Sequence, residues 1–453
     1  MFFCLAGLYF LSSLVKRYLC QLDAPRAAGN LNFRLPMANR RLFLFLILML
    51  LSFQTLLTTA HEDPSYKEVQ VGVLLDMESW VGKIVYGCIT QAISDFYTEN
   101  PHYRTRLVFT KRDTQGETLR ALSAALDLLE NSKVKAIIGP ESTAQARFLE
   151  TKPICPFFHF QQLPFSNQNP YFLRIAEDET TQFKGIAGMV ESFEAKNVIV
   201  ICEDTTDGRE MAAYMFSAFQ EKRIQVKHTS LISTSASKEQ VEEDLHKLQT
   251  METMVFVVHT QPSLTAHLFS RAKELGMMGE GYMWIITSKT TNLLNSMDAE
   301  AIKSMQGAVG FRSYFPASRK LYNFASKWRE EHYALNPFKE FKEVDSYGIW
   351  AYDAVYALAT AVEWLDIVGT SLLDEMLRLN FQSLGGEFKL LNGRTISKAM
   401  EVVNVIGKGD RRVGFWMMAN GGEFVKEIGK SNSFSNHGLE SIIWPGGSET
   451  SPK

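Results

Sequence analysis

Residues 69–75 read Val69-Gln-Val-Gly-Val-Leu-Leu75, a near-continuous apolar run of strand length. Directly after it, Val81, Ile84, Val85, Cys88, Ile89, Ala92, Ile93 and Phe96 recur at i, i+3, i+4, i+7 spacing, which predicts an amphipathic helix. A strand apolar on both faces followed at once by such a helix is half of a βαβ unit. Its place is a parallel sheet covered by helices on both sides.

Working outward, the alternation continues. Arg106–Thr110, Val134–Ile138 and Ile154–Phe160 read as further strands, with a helix face at Leu119, Leu122, Ala125, Leu126 and Leu129. The pattern then restarts with strands at Asn197–Cys202, Ile224–Thr229, Met254–His259 and Met283–Ile286. Helices Arg209–Gln220, Lys238–Thr250 and Leu264–Leu275 lie between them. Tyr347, Trp350, Ala351, Ala354, Val355 and Leu358 predict one more strongly apolar helix, and Glu387–Leu391 and Glu401–Ile406 closing strands. The fold class is α/β, with two lobes that each hold a mostly parallel sheet flanked by helices. A chain of 453 residues, 46% apolar and 21% charged, also exceeds what one core usually supports, about 250–300 residues. The expected division is 66–175 with 345–375 in lobe one, 176–344 with 376–420 in lobe two, and 421–453 as a Ser-, Gly- and Pro-containing linker or tail.

The formal charge of −3 conceals an asymmetry. Residues 1–60 hold six basic side chains against the single acid Asp23, and the remainder holds 41 basic against 49 acidic ones. That acidic body lacks the basic stripe a nucleic-acid partner needs. Asn39-Arg40-Arg41, the run Leu42–Leu51 and the small residues Thr58-Thr59-Ala60 have the form of a signal peptide. Met37 directly precedes them, so the expectation is an upstream extension over 1–36 and a signal peptide or membrane anchor over 37–60. A rival reading makes Phe2–Val15 and Leu42–Leu57 two membrane-inserted segments, each shorter than the roughly 20 residues a span needs. The signal reading places the body in the secretory pathway, on the extracellular face or secreted. Cys88, Cys155 and Cys202 are odd in number, lack metal-ligand spacing and fall in apolar runs, so they read as small buried hydrophobes.

No phosphate-binding glycine loop, zinc-protease helix or nucleophile elbow occurs, so neither catalytic residues, cofactor nor metal is expected. Glu203-Asp204 are adjacent on an extended segment and point to opposite faces, which disfavours paired-carboxylate chemistry. Gly407–Arg412, between two strand-like runs, reads as a hairpin turn carrying solvated charges. What remains is the crevice at the carboxyl ends of the strands, where open α/β sheets bind ligands. The segments expected to face it are Asp76–Trp80, Gly139–Thr143, Glu203–Gly208 and Thr287–Lys289. Ser142 and Thr143 open a helix and either cap it or hold a ligand carboxylate. His259 reads as a structural or cleft histidine at a strand end, and Lys289 as either solvated or a neutraliser of an anionic ligand.

Several ordered strings carry a family resemblance: Val71–Asp76, Ala136–Pro140, Glu274–Met278, Ser346–Tyr356, Leu384–Phe388, Val403–Gly409, Gly414–Trp416 and Ile443–Gly447. Over residues 66–447 the chain resembles plant glutamate receptor-like proteins. The resemblance implies the type I periplasmic-binding-protein fold, a receptor rather than an enzyme, and an amino-terminal sensing domain of a ligand-gated cation channel. The expected partners are an amino-acid-like ligand between the lobes and other subunits through lobe one. The family's complete members continue into a second ligand-binding domain and the pore, which this chain does not include. Asp76 and Glu78 become candidates for a ligand amino group, Ser142 and Thr143 for its carboxylate, and Asp207, His259 and Ser288 for the opposite wall. The sequence departs from the family pattern at Gln161–Phe165, Asp207 and Ser288, all cleft positions. The alternative is an assembly domain, or a decoy subunit, that binds no ligand.

Overall fold

The computed structural model describes residues 66–150, 156–159, 169–335, 344–368, 371–429 and 437–450. In chain order it opens with strand β1 (Lys67–Leu75), helix α1 (Trp80–Glu99), β2 (Thr105–Asp113), α2 (Thr118–Glu130), β3 (Ala136–Ile138), α3 (Thr143–Glu150), β4 (Phe157–His159) and β5 (Phe172–Arg174). A second run follows: α4 (Thr181–Ser192), β6 (Asn197–Glu203), α5 (Thr206–Glu221), β7 (Gln225–Ile232), α6 (Lys238–Gln249), β8 (Val255–His259), α7 (Pro262–Glu274), β9 (Met283–Ile286), α8 (Ser288–Thr291), α9 (Ala299–Ser304) and β10 (Val309–Ser313). Then come α10 (Arg319–Leu335), α11 (Ser346–Val368), α12 (Leu372–Arg378), β11 (Asn380–Ser383), β12 (Gly386–Leu391), β13 (Arg394–Thr395), β14 (Ala399–Ile406), β15 (Gly409–Met417) and β16 (Glu423–Val425).

The strands form two eight-stranded sheets, ordered β11-β12-β13-β5-β4-β3-β1-β2 and β16-β15-β14-β10-β9-β8-β6-β7. Each begins parallel from its first strand and ends in antiparallel strands supplied late in the chain. In both sheets the strand order reverses beside the first strand, between β1 and β3 and between β6 and β8. Each such point opens a crevice at the carboxyl ends of the strands.

Burial on both faces explains the apolar runs. Val71, Val73 and Leu75 of β1 face a core built with α1 and α11, while Leu74 faces the core under α2. In β6, Val198, Val200 and Cys202 enter one cluster and Ile199 and Ile201 the other. Helix α11 is apolar nearly all round because it lies within lobe one, with Tyr352, Ala354, Val355 and Leu358 all buried. Its buried Glu363 accepts the backbone N–H groups of Arg104 and Thr105 at 3.0 and 2.9 Å and the Thr105 hydroxyl at 2.6 Å, fixing the start of β2. Cys88 and Cys202 are buried free thiols, as their apolar settings predict, and Cys155 lies outside the described residues. Among the described residues no helix is long and apolar enough to cross a membrane. Residues 1–60, expected to hold an upstream extension and a signal peptide or anchor, lie outside them.

Three expected boundaries are corrected. Strands β11–β13, expected in lobe two as part of 376–420, complete the first sheet, because β13 pairs with β5. Helix α10, expected in lobe two, buries Phe324 and Trp328 in the lobe-one core. The segment expected as a linker from 421 onward is built into lobe two. There β16 pairs with β15, Trp444 is buried edge-to-face on Phe193 with centroids 5.0 Å apart, and Asn404 exchanges hydrogen bonds with the Ile443 N–H and C=O, both at 2.9 Å. Tail composition is permissive; burial of Ile442 and Trp444 decides the outcome. The hairpin turn expected over Gly407–Arg412 is present but shorter: only 407–408 turn between β14 and β15, and Gly409–Arg412 already lie in β15.

Both lobes also turn from their first strand into the helix that follows it in one way, a likeness the sequence did not advertise. Ser79 caps α1 by accepting the Gly82 N–H at 2.8 Å, and Thr205 caps α5 by accepting the Gly208 N–H at 3.0 Å. In each, the glycine lies over the end of the preceding strand: a Cβ would sit 2.0 Å from the Asp76 carbonyl oxygen at Gly82, and 2.1 Å from that of Glu203 at Gly208. Gly82→Ala and Gly208→Ala are therefore each expected to cost about 2–4 kcal/mol, since backbone must move to admit the methyl. Urea denaturation checks this, and losses below 1 kcal/mol would show that the approach is relaxed easily.

Candidate functional site: a charged cleft between the lobes

The carboxyl ends of β1 and β3 face those of β6, β8 and β9 across a cavity of about 830 Å³. Ser79, Glu141, Ser142, Arg147 and Tyr347 contribute from lobe one, and Glu203, Asp207, His259 and Lys289 from lobe two, with Glu179 just beyond the first crossover.

Glu141 follows β3 and turns back over β1. Its carboxylate accepts the Asp76 N–H at 3.0 Å and the Ser79 hydroxyl at 3.0 Å. Burial pushes this carboxyl up to about 7, outweighing those hydrogen bonds, while the Asp76 and Asp113 charges push the same way. On the other wall, Glu203 is the polar terminus of an otherwise apolar buried strand. It receives Lys289 Nζ at 2.9 Å and the Gln261 N–H at 2.7 Å. Burial alone would lower the Lys289 ammonium. The combined carboxylates of Glu203, Glu179 and Asp207 outweigh it, so the group stays charged and its value is raised. Glu179 is buried and pushed up to about 7 by desolvation, against the pull of Lys289. His259 is held well below its ordinary value by burial and then by Lys289, so its ring is neutral. Its Nδ1 lies 3.0 Å from the Thr287 hydroxyl and 3.5 Å from Glu179, a contact between a neutral ring and a carboxyl rather than an ion pair.

Side-chain contacts join the two lobes directly. Arg147 on α3 pairs with Glu210 and lies 3.5 Å from Asp207, both on α5 of the other lobe. The Trp80 indole N–H at the start of α1 also crosses to lobe two, donating to the Ser296 hydroxyl at 2.5 Å.

Of the residues read from sequence as site candidates, the structure brings Ser142, Asp207 and His259 to the cavity wall. Thr143 is the first residue of α3, next to Ser142. Asp76 does not line the cavity; its carboxylate caps its own turn by accepting the N–H groups of Glu78 and Ser79 at 3.1 and 3.2 Å. Glu78 also lies off the wall, exposed and paired with Lys83 at 3.2 Å. Ser288 is buried behind it. Its N–H donates to the Gln182 side chain at 2.7 Å and its hydroxyl accepts from that side chain at 2.8 Å. The segment 161–165 lies outside the described residues. Sequence reasoning gave no cleft role to Arg147, Glu179 or Tyr347; Glu141 and Glu203 fell within segments expected to face the cleft, Gly139–Thr143 and Glu203–Gly208, without being singled out as ligand contacts. Glu203 had a usable signal, a charge closing a strand whose other residues are apolar; Glu179 and Arg147 have no local signal.

The wall thus carries four carboxyl groups, of Glu141, Glu179, Glu203 and Asp207, against two cations. Both cations are already engaged with carboxylates. Such a surface accepts an ammonium group readily, while Ser142 at the mouth of α3 offers a neutral polar place for an anionic end.

Comparison with known proteins agrees with this architecture. A family profile described as receptor family ligand binding region matches residues 84–408. Glutamate receptor 2.7 of Arabidopsis thaliana is 36% identical over 419 residues, covering 85% of this chain and 44% of that protein. Glutamate receptor 1.2 of the same plant is 34% identical over 422 residues, covering 91% and 48%. The chain spans about half the length of the curated relatives it matches. Among solved structures, a leucine-binding protein from Thermotoga maritima superposes with a TM-score of 0.62 at 18% identity, covering 77% of this chain and 98% of that one. A substrate-binding protein from Desulfitobacterium hafniense in complex with Leu gives 0.60 at 14% identity, covering 77% and 100%. At these identities the likeness establishes the fold.

The buried carboxyls make stability depend on pH in a defined sense. Glu179 titrates at about 7 in the folded chain against 4.5 when unfolded, so between those values the folded state binds more protons. Its contribution is complete below pH 4.5 and is lost as pH rises through 7. His259, lowered by folding, works oppositely near its usual 6.5. Glu179→Gln should therefore flatten the fall of Tm between pH 5 and 7.5 relative to wild type. Parallel curves for the two proteins would contradict the assignment.

Proposed function

The chain belongs to the receptor family ligand-binding regions, as a plant glutamate receptor-like amino-terminal domain, and on that premise we propose that it senses a small zwitterionic amino-acid-like ligand between its lobes. The observation that carries this reading is the 830 Å³ interlobe cavity, whose charge is arranged to receive an ammonium group. The ligand's ammonium sits against Glu179 and Glu203, and its carboxylate faces Ser142 and the start of α3. A ligand touching both walls binds the closed arrangement more tightly than the open one and so shifts the lobes toward closure. In this reading the module serves a ligand-gated cation channel, and it stands on the extracellular side after entering the secretory pathway through the segment at 37–60. The leucine complex of the structural neighbour from Desulfitobacterium hafniense supports the choice of ligand class.

A second reading, an assembly module contacting other subunits through lobe one, is favoured by one feature. Lys289 and Arg147, the two cations lining the cleft, are already paired with carboxylates, so neither is left to hold a ligand carboxylate.

Thermal unfolding of the full-length chain with single L-amino acids at millimolar concentration separates the two. A ligand at 100 times its Kd adds about 2.7 kcal/mol, which for a chain of this size raises Tm by a few degrees. Glu179→Gln, which removes one of the carboxyls set against the ligand's ammonium, should weaken that rise. No rise with any amino acid, together with a stable dimer, would favour assembly.

A further inference from the structure

On the side of the lobes carrying the chain crossings is a second cavity, of about 400 Å³. It draws on all three connections between the lobes: Ile175 and Glu177 after β5, Tyr314–Pro316 after β10, and Thr395–Ala399 between β13 and β14. Trp350 and Phe388 of lobe one and Met417 of lobe two complete the apolar walls. The rings of Phe315 and Trp350 lie 6.3 Å apart between centroids.

The charges of this cavity are unequal in what they still need. Glu387 is paired with Lys398 at 3.1 Å. Asp353 is saturated by the Ser383 hydroxyl and the Leu384 and Gly385 N–H groups. Glu177 is different: it is buried, and among the described residues its Oε2 has no hydrogen-bond partner. The Ser397 and Ser313 hydroxyls favour its charged form, but burial outweighs them and pushes the carboxyl up to about 7. A native carboxylate oxygen left in this state marks a place for a cationic donor.

We propose that this hinge cavity is a second ligand site, for a small organic amine with an aromatic or branched apolar body. The ammonium group sets against Glu177, and the body lies among Tyr314, Phe315 and Trp350. Rings around a carboxylate suit an organic cation through both charge and cation–π attraction, and the volume is in the range of small-molecule pockets. An organic anion is excluded, since the three acids face only one lysine and that lysine is taken. Because the walls come from both lobes and every crossing, the cavity changes shape when the lobes rotate. An amine there biases the same open–closed equilibrium as the cleft, from the opposite side.

The test is calorimetric titration of the full-length chain with 2-phenylethylamine, using 3-phenylpropanoate as the anionic counterpart. The amine should bind and the acid should not. Affinity should rise about tenfold from pH 6 to pH 8 as Glu177 ionises. Glu177→Gln should weaken binding at least tenfold and remove the pH dependence. Ile428→Trp, which fills the rim without touching Glu177, should weaken it as well, so the test survives if the first variant folds poorly. No heat with amine up to 10 mM, equal binding of the acid, or an undiminished Glu177→Gln would overturn the proposal.

Discussion

A parallel strand buried on both faces has only its ends at which to place polar side chains. That constraint arranges the whole molecule. In lobe one the apolar run of β1 gives way at Asp76, and in lobe two that of β6 gives way at Glu203. Beside them lie Glu141 after β3 and His259 at the end of β8. With two sheets built alike and facing one another, these termini converge on one crevice, and the cleft chemistry follows from sheet topology rather than from any local motif.

The same constraint raises the energetic stakes within the cleft. Lys289 is kept charged under burial only because Glu203, Glu179 and Asp207 surround it, and His259 is kept neutral partly because Lys289 is there. Replacing one member changes the protonation of the others, so the wall behaves as a unit. The pairing of Arg147 with α5 carries that network across the gap and ties it to lobe position.

Movement is confined by the three crossings. Each is short, and each lies against the hinge cavity, so rotation of one lobe on the other must pass through Glu177, Tyr314–Pro316 and Thr395–Ala399. The cleft reaches these crossings at Glu179, just beyond the first, and the hinge cavity borders all three, so on the proposed reading a ligand on either would act on a single equilibrium.

Much of the fold was legible in order of residues alone. The apolar runs at 69–75 and 197–202 and the helical spacing after the first of them determined an α/β chain with two parallel sheets, because period and burial are local properties of a sequence. The family strings at Ser346–Tyr356 and Ile443–Gly447 determined kinship. The tertiary structure alone decided which sheet receives 380–395, since β13 is placed by its pairing with β5, and it alone showed Trp444 as core rather than tail. It also decided the site. Ser142, Asp207 and His259 were foreseeable as residues at or beside strand ends, but Asp76, Glu78 and Ser288 were equally so, and only side-chain direction separates the two sets. Glu179, Arg147 and Glu177 gave no sign in the sequence, because their environment is made by segments distant along the chain, and burial of a charge is a property of neighbours rather than of position.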